Sequence, residues 1–387
     1  MDAAKLQAAA PAAPTPSAIK GYDLKEICDR FALDGSFLRA QPHGNGHIND
    51  TFAVSCSKGK CEQRYILQRI NRNVFRDVDA LMENIQRVTR HAGCRLAGEA
   101  RPFMERRQVL TLIPTTDRGA YLRDEAGGAW RCYDFVEGAR TYDLVETPSQ
   151  ARHAAHAFGA FQELLRDLPG PRLHETIPDF HHTRRRFERL RTAAAKAERG
   201  RREAASDEIA FALAREATVD VILNLHAAGQ LPERITHNDT KLNNVMLDDV
   251  TGHGVCVIDL DTVMPGLALY DFGDMVRSAS NAAAEDESDL SRVSMRLPVF
   301  AALVEGYLAS ARTFLNHVEI ANLVFSARLI TFEIGLRFLT DFLEKDVYFK
   351  VRRPRHNLDR CRCQFALLRS MEDQADDMDR VVDRLAG

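Results

Sequence analysis

The chain has 387 residues, of which 45% are hydrophobic, so it is long enough to form two packed domains with separate cores. Lys and Arg number 52 against 55 Asp and Glu, and the net charge of -3 leaves no large basic excess for binding DNA or RNA. We therefore expect no nucleic-acid partner.

The first 20 residues contain Ala and Pro but no continuous apolar core of the kind that a signal peptide carries. We interpret residues 1–20 as a disordered tail. No run of about 18 apolar residues occurs in the chain, which predicts no membrane span. The eight cysteines form no C-x-x-C pair and are typical of reduced thiols. We expect a cytoplasmic protein and favour a monomer.

Residues 21–137 predict a small N-terminal lobe. The segments "SFLRAQP", "DTFAVSC" and "RYILQRI" have strand character and turn residues between them, which indicates an antiparallel sheet. Residues 77–92 then place apolar side chains three and four positions apart, as on one face of an amphipathic helix. The strand-like segments "QVLTLIPT" and "WRCYDFV" follow. This lobe is expected to contain one sheet and one main helix.

Residues 138–387 predict a larger, mostly helical C-terminal lobe. Thr147, Pro148 and Gln150 form a capping-box pattern that marks the start of a helix. Further helical patterns occupy about residues 290–313, 318–344 and 356–384. The fold class predicted for the whole chain is α+β.

The segment "ITHNDTKLNNVMLDDVTGHGVCVIDLDTV", residues 235–263, has the residue types that phosphoryl transfer needs. The carboxylate of Asp239 can accept the proton that an acceptor hydroxyl loses. Lys241 can neutralise charge on the transferred group. A polar turn that only caps backbone groups is the alternative, but it does not explain the ordered combination of these residues.

A magnesium site is predicted beside this base. Asn244 and Asp259 offer hard oxygen ligands, and Asp259 ends the apolar strand "VCVI". Asp261 is a second ligand or an orienting group. In protein kinases an Asp-Phe-Gly triplet carries the metal-binding aspartate. The same triplet at Asp271-Phe272-Gly273 follows a loop here and not an apolar strand. We interpret Asp271 as a residue that caps a helix and braces the catalytic loop.

Nucleotide contacts are expected in the strand-rich lobe. In "HGNGHINDTF" the residues Gly44, Asn45 and Gly46 lie between two strands, where backbone N–H groups can approach phosphate oxygens. A plain hairpin turn is the alternative.

The strand "RYILQRI" has no lysine at the place where a protein kinase carries one. Gln68 and Arg69 are both candidates to approach the phosphates there. Glu83, on the next helix, matches the glutamate that such a lysine would pair with.

The segments "HNDTKLNNV", "VIDLDTVMPGL" and "YDFGD" together resemble the aminoglycoside phosphotransferase and choline kinase-like superfamily. A closer resemblance, to bacterial N-acetylhexosamine 1-kinases, extends over about residues 40–370 through "GNGHINDTF", "RCYDFVEG", "ETIPDFHHT" and "GLRFLTDFLEKDVYFK". The resemblance implies a two-lobed protein-kinase-like fold. It also implies transfer of the γ-phosphate of ATP, with Mg²⁺, to the anomeric hydroxyl of N-acetylglucosamine or N-acetylgalactosamine.

The same resemblance implies site residues beyond the catalytic loop. The backbone of Asp134, Phe135 and Val136, in "CYDFVEG", would meet the adenine. Arg337 and Tyr348 would bind the sugar, although an ordinary helix-surface pair with Asp341 is the alternative for Arg337. The residues implied to face the sugar from the other lobe are His47, Asn49 and Asp50.

Three other functions compete with this interpretation. An aminoglycoside kinase needs an acidic pocket to attract its polycationic acceptor, whereas the segment "YFKVRRPRH" is basic. A choline or homoserine kinase is another alternative. The missing strand lysine also suggests a pseudokinase that binds ATP without catalysis, but the presence of Asp239, Asn244 and Asp259 argues against it.

Overall fold

The computed structural model describes residues 18–19, 21–44, 48–98 and 108–387. The predicted tail therefore lies outside the described residues, except for a two-residue strand at its end. The chain divides into two compact units, one formed by Met1–Val78 with Thr111–Phe135 and the other by Asp79–Leu110 with Val136–Gly387. The α+β class is confirmed, because the main sheet lies in the N-terminal part and helices dominate after it.

The first unit is built on an antiparallel sheet with strand order β3-β4-β5-β8-β6, to which β7 adds by pairing with β8. Its elements are β1 (Ala18–Ile19), β2 (Tyr22–Asp23), α1 (Leu24–Asp29), β3 (Ser36–Pro42), β4 (Asp50–Lys58), β5 (Cys61–Ile70), β6 (Leu112–Ile113), β7 (Leu122–Arg123) and β8 (Ala129–Asp134). The three predicted strands of the meander are confirmed. The predicted strand "QVLTLIPT" forms only two ladder residues, at β6.

The two faces of this sheet have different chemistry. Phe52, Leu67 and Cys132 are register partners on β4, β5 and β8, and they belong to one buried apolar core. Since side chains alternate along a strand, the neighbouring row of register partners points to the opposite face of the sheet. That row is polar and consists of Thr51, Gln68 and Arg131.

The second unit is mostly helical. Its helices are α2 (Val78–Gly98, from Asp79 onward), α3 (Pro148–Leu165), α4 (Thr183–Lys196), α5 (Arg199–Ala204), α6 (Ser206–Leu213), α7 (Val221–Ala227), α8 (Ala268–Ala279), α9 (Leu297–Ala311), α10 (His317–Ala321), α11 (Leu323–Leu343), α12 (His356–Asp373) and α13 (Ala375–Ala386). The predicted capping box at Thr147 is confirmed, since its side chain accepts from the N–H of Gln150 and the Gln150 side chain accepts in return. In the described parts of the chain, no helix combines the length and the apolar character needed to cross a bilayer.

Short strands of the second unit position the catalytic segment. They are β9 (Ala139–Arg140), β10 (Arg234–Thr236), β11 (Val245–Asp248), β12 (Gly254–Val257) and β13 (Met264–Gly266). β10 pairs with β13, and β11 pairs with β12, both antiparallel. Each pair thus fixes the ends of one polar loop: residues 237–244 run between β10 and β11, and residues 258–263 run between β12 and β13. The predicted apolar strand before Asp259 is confirmed at β12.

Helix α11 is the centre of this unit. Eighteen of its residues are buried, from Leu323 to Leu343, and it packs against α4, α8 and α12. Helix α8 comes so close that a Cβ atom on Gly273 would lie 2.5 Å from the carbonyl oxygen of Ser326. The glycine of the triplet at residues 271–273 therefore allows two helix backbones to touch.

Candidate active site

The catalytic loop holds Asp239 between a cation and an amide. Lys241 Nζ lies 3.0 Å from Asp239 Oδ1, and Asn244 Nδ2 donates to Asp239 Oδ2 at 3.0 Å and to the Asp239 carbonyl at 2.8 Å. The Asp239 side chain is 26% exposed, so it is reachable from solvent while its orientation is fixed. The predicted base and the predicted cation are therefore neighbours.

Electrostatics keep this carboxylate ionised. Burial raises the pKa of Asp239, but the ammonium of Lys241 opposes it, and the net pKa lies below the usual range of an aspartate. In return Asp239 raises the pKa of Lys241 strongly, with smaller contributions from Glu285 and Asp274. A carboxylate can accept a proton in phosphoryl transfer only in its ionised form, and Asp239 meets this condition.

The residues predicted to bind metal lie on the two neighbouring loops. The N–H of Ile258 donates to the carbonyl of Asn244 at 2.9 Å, which brings Asp259 next to Asn244 in space. Asp259 is exposed and has a left-handed φ of 58°, so the chain turns sharply at this residue after the end of β12. Asp261 is buried, and its carbonyl accepts from Thr176.

This donor set fits Mg²⁺ in type. Two carboxylates and an amide oxygen are hard ligands, and Mg²⁺ commonly completes its shell with water and substrate phosphates. Across the described residues, no cluster of three or more His, Cys, Asp or Glu side chains is arranged to hold a metal.

Asp271 lies directly behind the catalytic loop. Its carboxylate is fully buried and accepts from the backbone N–H groups of His237 at 2.9 Å and Asn238 at 2.7 Å, and from Gln162 Nε2 at 2.6 Å. The predicted brace is confirmed by these contacts. The predicted helix cap is wrong, because α8 already begins at Ala268 and Asp271 lies inside its first turn.

Two of the predicted sugar residues, Arg337 and Tyr348, line a small cavity of about 40 Å³ in the second unit. The guanidinium of Arg337 lies over the rings of Phe180, Phe349 and Tyr348, with distances to the ring centres of 4.9, 5.7 and 6.0 Å. The alternative pair with Asp341 is absent among the described residues. Asp341 instead accepts from the N–H groups of Tyr348 and Phe349 and from the side chain of Asn357.

The nucleotide residues predicted in the first unit are only partly described. Gly44 has a φ of 72°, which suits glycine, but Asn45, Gly46 and His47 lie outside the described residues. Gln68 donates to Thr51 Oγ1 and accepts from Arg131 Nε, both at 3.0 Å.

The predicted adenine residues of the first unit, Asp134 and Phe135, and the predicted sugar residues Asn49 and Asp50 have local partners. The N–H of Asp134 donates to the carbonyl of Thr111 and that of Phe135 to the carbonyl of Arg64, and the Arg64 guanidinium lies 3.8 Å from the centre of the Phe135 ring. Asn49 accepts from the N–H of Asn71, and Asp50 accepts from the hydroxyl of Tyr22.

Two of the predicted nucleotide residues belong to the second unit, Val136 and Glu83. Val136 is buried. Glu83 lies 2.9 Å from the Nε2 atom of His174 and 3.9 Å from Arg87. Within this unit a histidine is thus the nearer partner of the helix glutamate.

Sequence reasoning missed two polar residues that contact the predicted site. Arg131 is 1% exposed and bonds to Gln68, and the signal for it was a cation inside the apolar strand "AWRCYD". Gln162 connects Asp271 to the hydroxyl of Tyr307, and the signal for it was a polar residue on the apolar stripe of α3. Both are buried polar groups with defined partners.

The α+β fold and the loop at residues 237–244 define the class of kinase-like phosphotransferases. The chain matches the phosphotransferase enzyme family over residues 39–305, which is more than half of its length, and it belongs to that family.

Solved structures with the same fold include a microcompartment-associated aminopropanol kinase, with 16% identity, a TM-score of 0.61 and coverage of 92% of this chain and 97% of that chain. An aminoglycoside phosphotransferase from Alicyclobacillus acidocaldarius has 16% identity, a TM-score of 0.57 and coverage of 98% of both chains. A spectinomycin phosphotransferase in complex with ADP and its antibiotic has 13% identity, a TM-score of 0.53 and coverage of 88% and 94%. At these identities the likeness concerns the fold.

Proposed function

We propose that this protein is an ATP-dependent kinase that phosphorylates the anomeric hydroxyl of N-acetylglucosamine or N-acetylgalactosamine. The observation that carries the proposal is the Asp239 carboxylate, held by Lys241 and Asn244 at 3.0 Å each. Membership of the phosphotransferase family supports a phosphoryl transfer. The choice of acceptor rests on the sequence resemblance and on Arg337 with its aromatic neighbours.

The polar residues of the two neighbouring loops have separate roles in the proposed reaction. Asp239 accepts the proton of the acceptor hydroxyl while the new O–P bond forms and the bond from the γ-phosphorus to the bridging oxygen of ADP breaks. Lys241 offsets negative charge on the phosphoryl group in flight. Asn244, Asp259 and Asp261 would hold Mg²⁺, which supplies charge neutralisation on the nucleotide phosphates when bound.

Nucleotide contacts are proposed for two groups of residues. The phosphates would meet the backbone at Gly44, Asn45 and Gly46 and the polar strand row that includes Gln68. Arg131 is the cation of that row, and we assign to it the positive charge that the absent strand lysine would supply. The adenine would meet the backbone of Asp134, Phe135 and Val136. Glu83 is proposed to belong to the nucleotide site as well.

The acceptor is proposed to lie at Arg337 and Tyr348. The adjoining cavity of about 40 Å³ is large enough to admit a small polar substituent, and an acetamido group is such a substituent. A guanidinium donates hydrogen bonds and accepts none, so it suits a carbonyl oxygen. His47, Asn49 and Asp50 are proposed to contact the sugar as well.

A kinase of a cationic acceptor, such as an amino alcohol or an aminoglycoside, is the second candidate because similar folds carry those names. The cavity argues against it. Its charged lining consists of three arginines and two carboxylates, Arg186, Arg189, Arg337, Asp341 and Glu344, and Arg189 pairs with Glu344. The remaining excess of one positive charge disfavours a cationic acceptor.

The proposal is tested by incubating the protein with Mg-ATP and, separately, N-acetylglucosamine, N-acetylgalactosamine, glucose, choline and kanamycin. Phosphorus NMR assigns the position of the phosphate. We expect 1-phosphates of the two N-acetylhexosamines, and no product with an Asp239→Ala variant. Turnover of choline or kanamycin alone, or a phosphate on the 6-hydroxyl, would refute the proposed acceptor.

A further inference from the structure

Asn238, the residue before the proposed base, is held by hydrogen bonds at each of its polar groups. It has a left-handed φ of 64°, a conformation that a non-glycine residue adopts only with support from its surroundings. Its N–H donates to Asp271 at 2.7 Å, and its side-chain amide donates to the carbonyl oxygens of Thr262 at 2.9 Å and Thr236 at 3.2 Å. The Thr236 hydroxyl donates to its Oδ1 atom at 3.0 Å.

The peptide bond between Asn238 and Asp239 is tied to an imidazole at both ends. The N–H of Asp239 donates to His237 Nδ1 at 3.3 Å. The carbonyl of Asn238 lies 3.1 Å from His181 Nε2, and because a carbonyl only accepts, the imidazole donates here. The tilt of this peptide plane decides where the Asp239 side chain leaves the loop.

His181 is itself fixed by a buried carboxylate. Its Nδ1 atom lies 2.8 Å from Glu333 Oε1, and Thr183 Oγ1 donates to Glu333 Oε2 at 2.5 Å. The side chains of His181 and Glu333 are 2% and 0% exposed. The ring of Tyr270 covers one face of the imidazole, with 5.2 Å between ring centres. A buried charge needs such partners, so the ring has one allowed position.

Helix α11, which carries Glu333, and the segment around His181 also position Arg337, one of the proposed sugar residues. Arg337 lies one turn after Glu333 on α11, and its guanidinium stacks over Phe180, the neighbour of His181. A shift of His181 would therefore move the base relative to the acceptor residue, without touching either reactant.

We propose that His181, oriented by Glu333, is a positioning residue that sets the direction of the Asp239 carboxylate through the carbonyl of Asn238. The proposal rests on the assignment of Asp239 as the base, and it holds for any acceptor. His181 lies in "PDFHHT", a segment that the reaction itself leaves without a role.

Two amide substitutions separate the two hydrogen bonds of the ring. In His181→Gln the side-chain nitrogen falls near the former Nε2 position and keeps a donor for Asn238. In His181→Asn it falls near Nδ1 and keeps a donor for Glu333. We expect kcat to stay within about fivefold of wild type in His181→Gln and to fall about 30- to 100-fold in His181→Asn, because displacement of a catalytic group by about 1 Å costs about that much. The KM for ATP should change less than about twofold in both.

A purely structural role predicts the opposite order, since Asn would satisfy the buried Glu333 better than Gln. Equal losses in the two variants, or greater activity in His181→Asn, would overturn the proposal. Should His181→Asn fail to fold, Glu333→Gln decides, because its amide can donate to Nδ1 and leave Nε2–H for Asn238. We then expect kcat within about threefold of wild type, and a loss of about 30-fold would contradict the assignment.

Turnover is read both with N-acetylglucosamine and as slow ATP hydrolysis to water. Absence of sugar phosphate from the wild type refutes the proposed acceptor, while the ranking of the variants in hydrolysis still tests the positioning role. Absence of any ATP cleavage by the wild type overturns the role of Asp239 and this inference with it.

Discussion

At the scale of single residues, the ammonium of Lys241 lowers the pKa of Asp239, the proposed base, against the effect of burial. Removing the ammonium in Lys241→Met takes away the attraction that holds the pKa of Asp239 low, so this pKa should rise. Since the base acts in its ionised form, the acid limb of the pH profile of kcat/KM should then move to higher pH.

The measurement is kcat/KM against pH, with Lys241→Arg as the matched control that keeps the charge. The control should retain the wild-type position of the acid limb even if its rate is lower. An acid limb at the same pH in Lys241→Met and Lys241→Arg would contradict the predicted coupling of the two side chains.

Asp271 should act on stability and not on metal dependence. In Asp271→Asn only one oxygen is left to accept, so at least one donor among His237, Asn238 and Gln162 faces an amide nitrogen. We expect the free energy of unfolding to fall by about 2–4 kcal/mol, as for a buried charged hydrogen-bond group that loses partners.

Urea unfolding measures this loss, and Asp249→Asn is the control, because Asp249 forms an exposed pair with Arg140 and should change stability by less than about 0.5 kcal/mol. An increased magnesium requirement with unchanged stability would assign Asp271 to the metal instead.

Sequence reasoning located the loop residues because their spacing is short and ordered. Lys241 and Asn244 follow Asp239 within five positions, and the structure joins all three. The partners that it missed are distant in the chain. Gln162 and Asp271 are 109 positions apart, and hydrophobic periodicity indicates which side of a helix is buried but not which polar group it meets there.

At the scale of elements, long patterns were predictable and their interruptions were not. The pattern at 318–344 is broken at Asn322 into α10 and α11, and the pattern at 356–384 is broken at Gln374 into α12 and α13. Both breaks keep one apolar stripe in contact with the core, so periodicity runs through them. At β6 the structure forms less than the pattern predicts, since only Leu112 and Ile113 of the predicted strand enter the sheet. Residues with high β propensity form a strand only where a neighbouring strand pairs with them.

The contact of α8 with α11 should be intolerant of a single methyl group. In Gly273→Ala the new Cβ would lie 2.5 Å from the Ser326 carbonyl oxygen and 2.7 Å from Ile330 Cγ1, so the helices must separate. We expect a loss of about 1–3 kcal/mol in the free energy of unfolding, as for other overpacked cores.

Gly200→Ala is the matched control. Gly200 lies in α5, and a Cβ there meets nothing within 4 Å, so the substitution should stabilise by up to about 1 kcal/mol through helix propensity. Thermal and urea unfolding of the two variants should therefore change in opposite directions. Equal stability of Gly273→Ala and wild type would mean that α8 and α11 are farther apart than the structure has them.

At the scale of the whole molecule, composition and the order of elements were enough to predict the α+β class. The partition into two compact units follows from contacts between distant segments, since residues 79–110 join the C-terminal unit although β6, which follows them, joins the N-terminal sheet. Local patterns do not encode such a partition.

The proposed magnesium site leads to a prediction about the stability of the whole chain. A ligand present at about 100 times its Kd stabilises the folded state by about 2.7 kcal/mol, and Mg-ATP should thus raise Tm, whereas ATP with a chelator should raise it less. Because Asp259 is the exposed carboxylate of the proposed donor set, Asp259→Asn should lose the magnesium-dependent part of the increase and keep the part due to ATP alone. Asp249→Asn should keep both parts. Scanning calorimetry with ATP, Mg²⁺ and chelator in turn measures the two contributions, and a full magnesium-dependent increase in Asp259→Asn would move the metal to other ligands.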